Sequence, residues 1–60
     1  MFKINICGTI HEVDSVEIKN QHIYIDGVSQ GVIGFTVVIK VTDGEYDFIK
    51  KDGHIRWLSK

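Results

Sequence analysis

The sequence predicts an all-β fold: a small antiparallel meander of about six strands that forms a two-layer sandwich or a partly open barrel. Val and Ile supply 17 of the 60 residues and Thr supplies three more, whereas the chain has one Leu and no Ala. These β-branched side chains are stiff at χ1 and suit a pleated surface better than a helix. Apolar and polar residues also alternate over several short stretches, which is the period of a half-buried strand. The chain has no proline, so no stretch is excluded from a sheet on that ground.

The chain length allows only one domain, residues 1–60. We divide it into N-terminal strands over 2–26, a glycine-rich connection over 27–35 and a C-terminal three-stranded meander over 36–59. A domain of this size buries only roughly 60% of the surface that its unfolded chain exposes, so a monomer is marginally stable. Cys7 is the only cysteine, which excludes an intrachain disulfide. These limits predict a homo-oligomer, with a dimer favoured.

The first strand is predicted over residues 2–6, where apolar side chains occupy every second position. Gly8 ends this strand. Residues 9–12 have the spacing of a helix capping box, but only about five residues follow before the alternation resumes. We therefore predict a loop or a single helical turn there.

The second and third strands are predicted over 16–19 and 22–26, with Asn20-Gln21 as a two-residue turn between them. The register separates the faces cleanly: Ile18 opposes Ile23 and Val16 opposes Ile25 on one face, while Lys19 opposes His22 and Glu17 opposes Tyr24 on the other. A type I′ turn needs positive φ at both central residues, which Asn accepts more readily than Gln, so a longer loop remains an alternative. Asp26-Gly27 then closes the strand.

The C-terminal meander is predicted from two turn signals. Asp43-Gly44 and Asp52-Gly53 each lie between alternating apolar runs, and Asp-Gly is a strong signal for a two-residue hairpin turn. The resulting pairs are Val41 with Tyr46, Ile39 with Phe48, Lys40 with Asp47 and Phe48 with Trp57. The glycine-rich stretch that precedes the meander does not open a helix, so we do not interpret it as a phosphate-binding loop.

An excess of apolar positions in the meander predicts an interface. If Phe48 and Trp57 face the core, further apolar side chains form a cluster on the outer face of the sheet. This predicted interface consists of Val38, Ile49 and Leu58, bordered by Lys40 and Arg56. An apolar patch with a polar rim on a small protein is typical of a protein-binding surface. The alternative is a bulge or barrel closure that shifts one strand and buries the cluster.

Basic residues around the last turn suggest a second class of ligand. Lys50, Lys51, His54 and Arg56 cluster there with Trp57 close by, and single-stranded nucleic acid binds to basic grooves that offer stacking surfaces. The net charge of −1 lacks the basic excess of a protein held by phosphate contacts. The predicted register also places Arg56 and Trp57 on opposite faces. Nucleic-acid binding is therefore the alternative and protein binding the main interpretation.

No motif in the sequence indicates catalysis, a metal site or a cofactor. Cys7 and His11 lie four residues apart on a segment that is not predicted as a helix, and neither a CxxC nor an HxxxH motif occurs. The aspartates stand where turns favour Asp. We predict a protein that is not an enzyme, with no catalytic residue, no metal and no cofactor. The chain also lacks a secretory signal and a membrane-spanning apolar run, which predicts a cytoplasmic location without membrane association.

The string VEIKNQHIYIDG, residues 16–27, resembles a pattern in short phage and bacterial proteins, in which a strand, a tight turn and a strand end in Ile-Asp-Gly or Val-Asp-Gly. The likeness covers about a fifth of the chain. Phage β-proteins of this size include inhibitors of host enzymes and of defence systems, and many are dimeric. The resemblance implies a protein that acts by occupying a host partner, and it assigns no functional residue.

The sequence therefore predicts a non-catalytic binding protein that self-associates and occupies a protein partner. Two alternatives remain open. One is a small β-barrel that binds single-stranded nucleic acid, and the other is an oligomer that sequesters a small ligand between its subunits.

Overall fold

The computed structural model describes residues 1–32 and 38–60, and there the chain forms eight β-strands and no helix. The strands are β1 (Phe2–Ile6), β2 (Thr9–Val13), β3 (Ser15–Lys19), β4 (His22–Ile25), β5 (Val28–Val32), β6 (Ile39–Gly44), β7 (Tyr46–Lys51) and β8 (His54–Ser59). They form a three-stranded antiparallel sheet in the order β2-β1-β6 and a five-stranded antiparallel sheet in the order β5-β4-β3-β8-β7. The all-β prediction is confirmed, and the two-sheet sandwich is the arrangement adopted rather than a closed barrel.

Two-residue turns with positive φ at both residues build the hairpins. They are Cys7-Gly8, Asn20-Gln21, Asp26-Gly27 and Asp52-Gly53. Positive φ at both central positions is the property of a type I′ turn, whose twist matches that of the flanking strands. The predicted pairing of β3 with β4 across Asn20-Gln21 is confirmed at every pair, and so is the pairing of Phe48 with Trp57 across Asp52-Gly53.

Two segments that were predicted as irregular are strands. The loop or helical turn predicted over residues 9–12 is wrong: Cys7-Gly8 is itself a hairpin turn, and β2 continues until Val13 lies opposite Phe2. Strand pairing satisfies the backbone there and buries Val13 as well, which a single helical turn would not do. The predicted connection over 27–35 also contains β5, because Asp26-Gly27 turns the chain back along β4. Residues 33–37 lie outside the described part of the chain.

The predicted role of Asp43-Gly44 as a hairpin turn is wrong. β6 runs through both residues and pairs with β1, so Gly44 lies opposite Phe2. The pairs expected between β6 and β7 are therefore absent: Ile39 lies opposite Ile6, Val41 opposite Ile4, Lys40 opposite Asn5 and Asp47 opposite Leu58. The physical reason is that β1 is the central strand of the small sheet, so it pairs with a strand on each side. β2 is one of these strands, and β6 is the other, with its apolar residues opposite those of β1.

The chain passes between the two sheets at two described single-residue crossings. Asp14 links β2 to β3, and Glu45 links β6 to β7. At the first crossing the backbone amides of Asp14 and Ser15 both donate to Oδ1 of Asp26, at 2.8 and 2.9 Å. At the second, Gly44 has φ of +100°, a conformation that L side chains rarely adopt. Each crossing lets a short chain supply strands to both layers.

The hydrophobic core lies between the two sheets. Its buried residues come from both layers: Phe2, Ile4 and Val13 from the small sheet, and Val16 and Ile23 from the large sheet. The partly buried side chains packed against them are Ile6, Ile18, Ile25, Ile39, Val41 and Trp57. Because so few residues are fully buried, the free energy of unfolding should be small.

Candidate binding surface on the last hairpin

The sandwich is uneven, because three strands cover five. Both edge strands of the large sheet, β5 and β7, consist entirely of exposed residues, whereas β3 and β4 next to the centre contain the buried Val16 and Ile23. The small sheet therefore covers the middle of the large sheet. The hairpin β7–β8 projects its outermost strand past this cover.

The inner side of the hairpin carries an exposed aromatic residue, Phe48. Its neighbour Trp57 lies opposite Val16 and packs against the core, so Phe48 shares the face that points toward the small sheet. Even so, Phe48 is 53% exposed. Its ring lies 5.5 Å from the ring of Trp57 in a tilted arrangement, which holds it in place. We call Tyr46, Phe48, Lys50 and Trp57, which share this side of the hairpin, the Phe48 face.

The two ends of the Phe48 face lie in different surroundings. At one end Tyr46 is exposed but lies next to the small sheet, since its ring is 5.7 Å from that of the buried Phe2. At the other end Lys50 lies opposite Ile55 and is exposed. The face therefore runs from a tyrosine beside the small sheet, through a more exposed phenylalanine, to an exposed lysine. Exposed aromatic side chains are enriched at protein-binding surfaces, in which they supply much of the affinity.

The outer side of the hairpin holds part of the predicted interface. Ile49 lies opposite Arg56 and Leu58 lies opposite Asp47, so Ile49, Leu58 and Arg56 share one face as predicted from the alternation. Val38 and Lys40 do not reach this face through a β6–β7 pair, because β6 pairs with β1 in the other sheet. Val38 is exposed and its carbonyl accepts a hydrogen bond from the amide of Cys7 at 3.0 Å. The five-residue cluster is therefore divided between the sheets.

The basic residues of the hairpin are divided between its two sides. Lys50 belongs to the Phe48 face, whereas Lys51, His54 and Arg56 lie on the outer side. Glu17, opposite Arg56 on β3, approaches two of them: Oε1 is 3.0 Å from Nε2 of His54, and Oε2 is 3.5 Å from Nε of Arg56. Neither contact has hydrogen-bond geometry, although both nitrogens are shielded from solvent. Glu17 therefore offsets positive charge where a phosphate backbone would need it.

Other parts of the described structure give weaker indications of a binding site. A cavity of about 200 Å³ is lined by Met1, Phe2, Lys3, Glu12, Asp43 and Gly44, which is smaller than the roughly 300 Å³ at which small-molecule sites begin. In the described residues no three His, Cys, Asp or Glu side chains are grouped as metal ligands would be. The same residues include no helix with the length and apolar character needed to cross a bilayer.

Sequence reasoning missed the exposure of Phe48, which it placed in the core. Period-two alternation gives the face of a strand, but it does not show how far the opposite sheet extends over that face. One signal was present in the sequence. β7 ends in Lys50 and Lys51, and lysines are common on edge strands, where they discourage unspecific pairing.

No family model matches this chain, and no curated protein or solved structure is similar to it at a significant level.

Proposed function

We propose that this chain is a non-catalytic binding protein that self-associates and acts by occupying a protein partner through the Phe48 face. The observation that carries the proposal is the exposure of Phe48 at 53%, on a ring held against Trp57 and beyond the cover of the small sheet. An ordered aromatic side chain loses little conformational entropy on binding, and it buries a large apolar area.

The partner class that we propose is an enzyme or defence protein of a host cell, in keeping with the phage-like pattern at residues 16–27. A chain of 60 residues has little room for a deep pocket of its own, so covering a partner's surface is the inhibitory mechanism that suits its size. A cytoplasmic site of action belongs to the same proposal. Cys7 is free and exposed, which a reducing compartment tolerates.

Binding of single-stranded nucleic acid is the alternative, and one observation favours it. Lys50 shares the Phe48 face with three aromatic rings, which is a combination found in stacking sites. Against it stand the net charge of −1 and the position of Glu17 between His54 and Arg56. A ligand-sequestering oligomer would have to form its site between subunits, since the described cavity beside Met1 and Phe2 is small.

We expect Phe48→Thr to weaken partner binding strongly while the fold persists. Threonine keeps a β-branched side chain in the strand but removes the aromatic contact area. We expect the affinity for the partner to fall at least about tenfold, as it does when a central aromatic contact is truncated. The matched control is Ile10→Thr, since Ile10 is 62% exposed on the small sheet and should leave binding unchanged.

The measurement is capture from host lysate by immobilised wild type and both variants, followed by mass spectrometry and titration of the purified partner. The proposal predicts a protein retained by wild type and Ile10→Thr and lost by Phe48→Thr. Recovery of nucleic acid with an affinity that falls steeply with salt would favour the alternative instead. Equal capture by both variants would contradict the assignment to the Phe48 face.

A further inference from the structure

The free edge of β7 is one of two strand edges in the described residues whose strand pairs without a register shift, and the other belongs to β2. Strand order places β7 at the end of the large sheet, with β8 as its one described neighbour. Its pairing with β8 shows no register shift over six residue pairs, whereas the pairings made by β5 and β6 both contain one. A straight, exposed edge is a template for pairing with another strand.

The hairpin turn determines which backbone groups face this edge. A two-residue turn is flanked by a hydrogen-bonded pair, here Lys51 with His54, and such pairs alternate along an antiparallel ladder. Hydrogen bonding from the amide of Lys60 to the carbonyl of Glu45, at 3.4 Å, fits this alternation. The amides and carbonyls of Phe48 and Lys50 therefore point away from β8 and toward the free edge.

We propose that β7 pairs antiparallel with β7 of a second copy, in the register that is centred on Ile49. This inference rests on the proposed self-association and specifies its surface. A two-fold axis between antiparallel edge strands must be normal to the sheet, so each residue meets one on its own face. Centring the axis on Ile49 places Ile49 against Ile49, and it places Asp47 of each copy against Lys51 of the other.

Charge complementarity selects this register. It forms two Asp47–Lys51 pairs, and opposite charges directly across an antiparallel pair stabilise it. It also sets Lys50 of each copy beside the ring of Phe48 of the other, as a cation–π contact requires. A shift of two residues, centred on Phe48, would place Asp47 opposite Ile49 and forfeit both charge pairs.

β2, the edge strand of the small sheet that pairs without a register shift, offers no comparable match. By the same alternation β2 directs the amides of Ile10 and Glu12 outward. Self-pairing centred on His11 would set two imidazoles against each other and Ile10 against Glu12. The complementary charges of β7 are therefore specific to that strand.

The proposed dimer would complete the partner-binding surface. Because the two-fold axis is normal to the sheet, the Phe48 faces of both copies lie on the same side of one continuous ten-stranded sheet, five strands from each copy. They adjoin across the axis, between the two small sheets. A partner would then contact residues of both copies, and neither copy alone presents the whole surface.

Charge reversal tests the register. Asp47→Lys places lysine against lysine twice in the homodimer, and Lys51→Asp places aspartate against aspartate twice. Each variant alone should dimerise about 10- to 30-fold more weakly than wild type. A 1:1 mixture restores two opposite-charge pairs, so it should form a heterodimer with close to wild-type affinity. The Asp47–Lys60 contact of 3.8 Å is exposed, and its loss should not alter the fold.

Sedimentation equilibrium of wild type, each variant and the mixture gives these affinities, and circular dichroism checks that all samples keep a β spectrum. A wild type that stays monomeric at millimolar concentration overturns the inference. So do variants that dimerise as tightly as wild type, or a mixture no tighter than its components. If a monomeric wild type still loses a protein partner on Phe48→Thr, the proposed partner binding stands while the dimer does not.

Discussion

Gly44→Ala should destabilise the protein by about 2 to 5 kcal/mol, the sum of left-handed backbone strain and overpacking. A Cβ at this position would lie 2.7 Å from Cα of Phe2, 2.8 Å from its Cβ and 2.9 Å from the carbonyl oxygen of Met1. The two Phe2 atoms belong to β1, the central strand of the small sheet, and Met1 directly precedes it, so none of the three can move aside as the end of a flexible side chain would. The total stability of 60 residues is about 3 to 9 kcal/mol, so much of the variant should be unfolded.

The matched control is Gly53→Ala. Gly53 has φ of +77°, so alanine meets comparable backbone strain, but a Cβ there would meet nothing within 4 Å. We expect a loss of about 1 to 2 kcal/mol. Urea denaturation of wild type and both variants gives the comparison. Equal losses would mean that β6 does not approach β1 at Gly44 and that the pairing of these strands is wrong.

Ile4→Ala should cost about 2 to 5 kcal/mol, as truncation of a buried isoleucine leaves a cavity. Ile4 has no exposed surface and stands in the middle of β1, with His11 on one side and Val41 on the other. The control is Ile10→Ala, on the neighbouring strand, where Ile10 is 62% exposed. Its loss should not exceed about 1 kcal/mol, the range of β-propensity.

Thermal unfolding followed by circular dichroism measures both isoleucine variants. A marked drop in the midpoint for Ile4→Ala with a small drop for Ile10→Ala is the expected pattern. The reverse order would place the core on the other face of β1 and β2.

Local turn chemistry made part of the fold predictable. Asn20-Gln21 and Asp52-Gly53 join strands that are adjacent in sequence, and the alternation on either side fixes their register. The pairing of β6 was not predictable in this way. β1 and β7 both contain alternating apolar and polar residues. The sequence near β6 therefore does not determine which of these two strands β6 pairs with.

The dipeptide Asp-Gly also shows that local sequence does not determine strand pairing. The dipeptide occurs at residues 26–27, 43–44 and 52–53. At the first and last it is a hairpin turn, and at 43–44 it brings β6 to the crossing between sheets. Gly supplies positive φ in all three cases, and tertiary pairing decides what the chain does with it.

The candidate surface was predictable only in its location. The sequence indicated the last hairpin, and Ile49, Leu58 and Arg56 do share its outer side. It did not indicate Phe48, because exposure of an inward-facing residue depends on how many strands cover it. The sequence alone therefore cannot assign Phe48 to a surface, although it predicts its strand face.

We expect the last hairpin to bind a second copy of this protein along β7, and residue-resolved amide exchange on the wild type tests this. The amides of Phe48 and Lys50 point to the free edge of β7, and those of Ile10 and Glu12 point to the free edge of β2. The amides of Phe48 and Lys50 should gain protection as protein concentration rises, while those of Ile10 and Glu12 should exchange rapidly throughout. Protection that grows at Ile10 and Glu12, with none at Phe48 and Lys50, would contradict it.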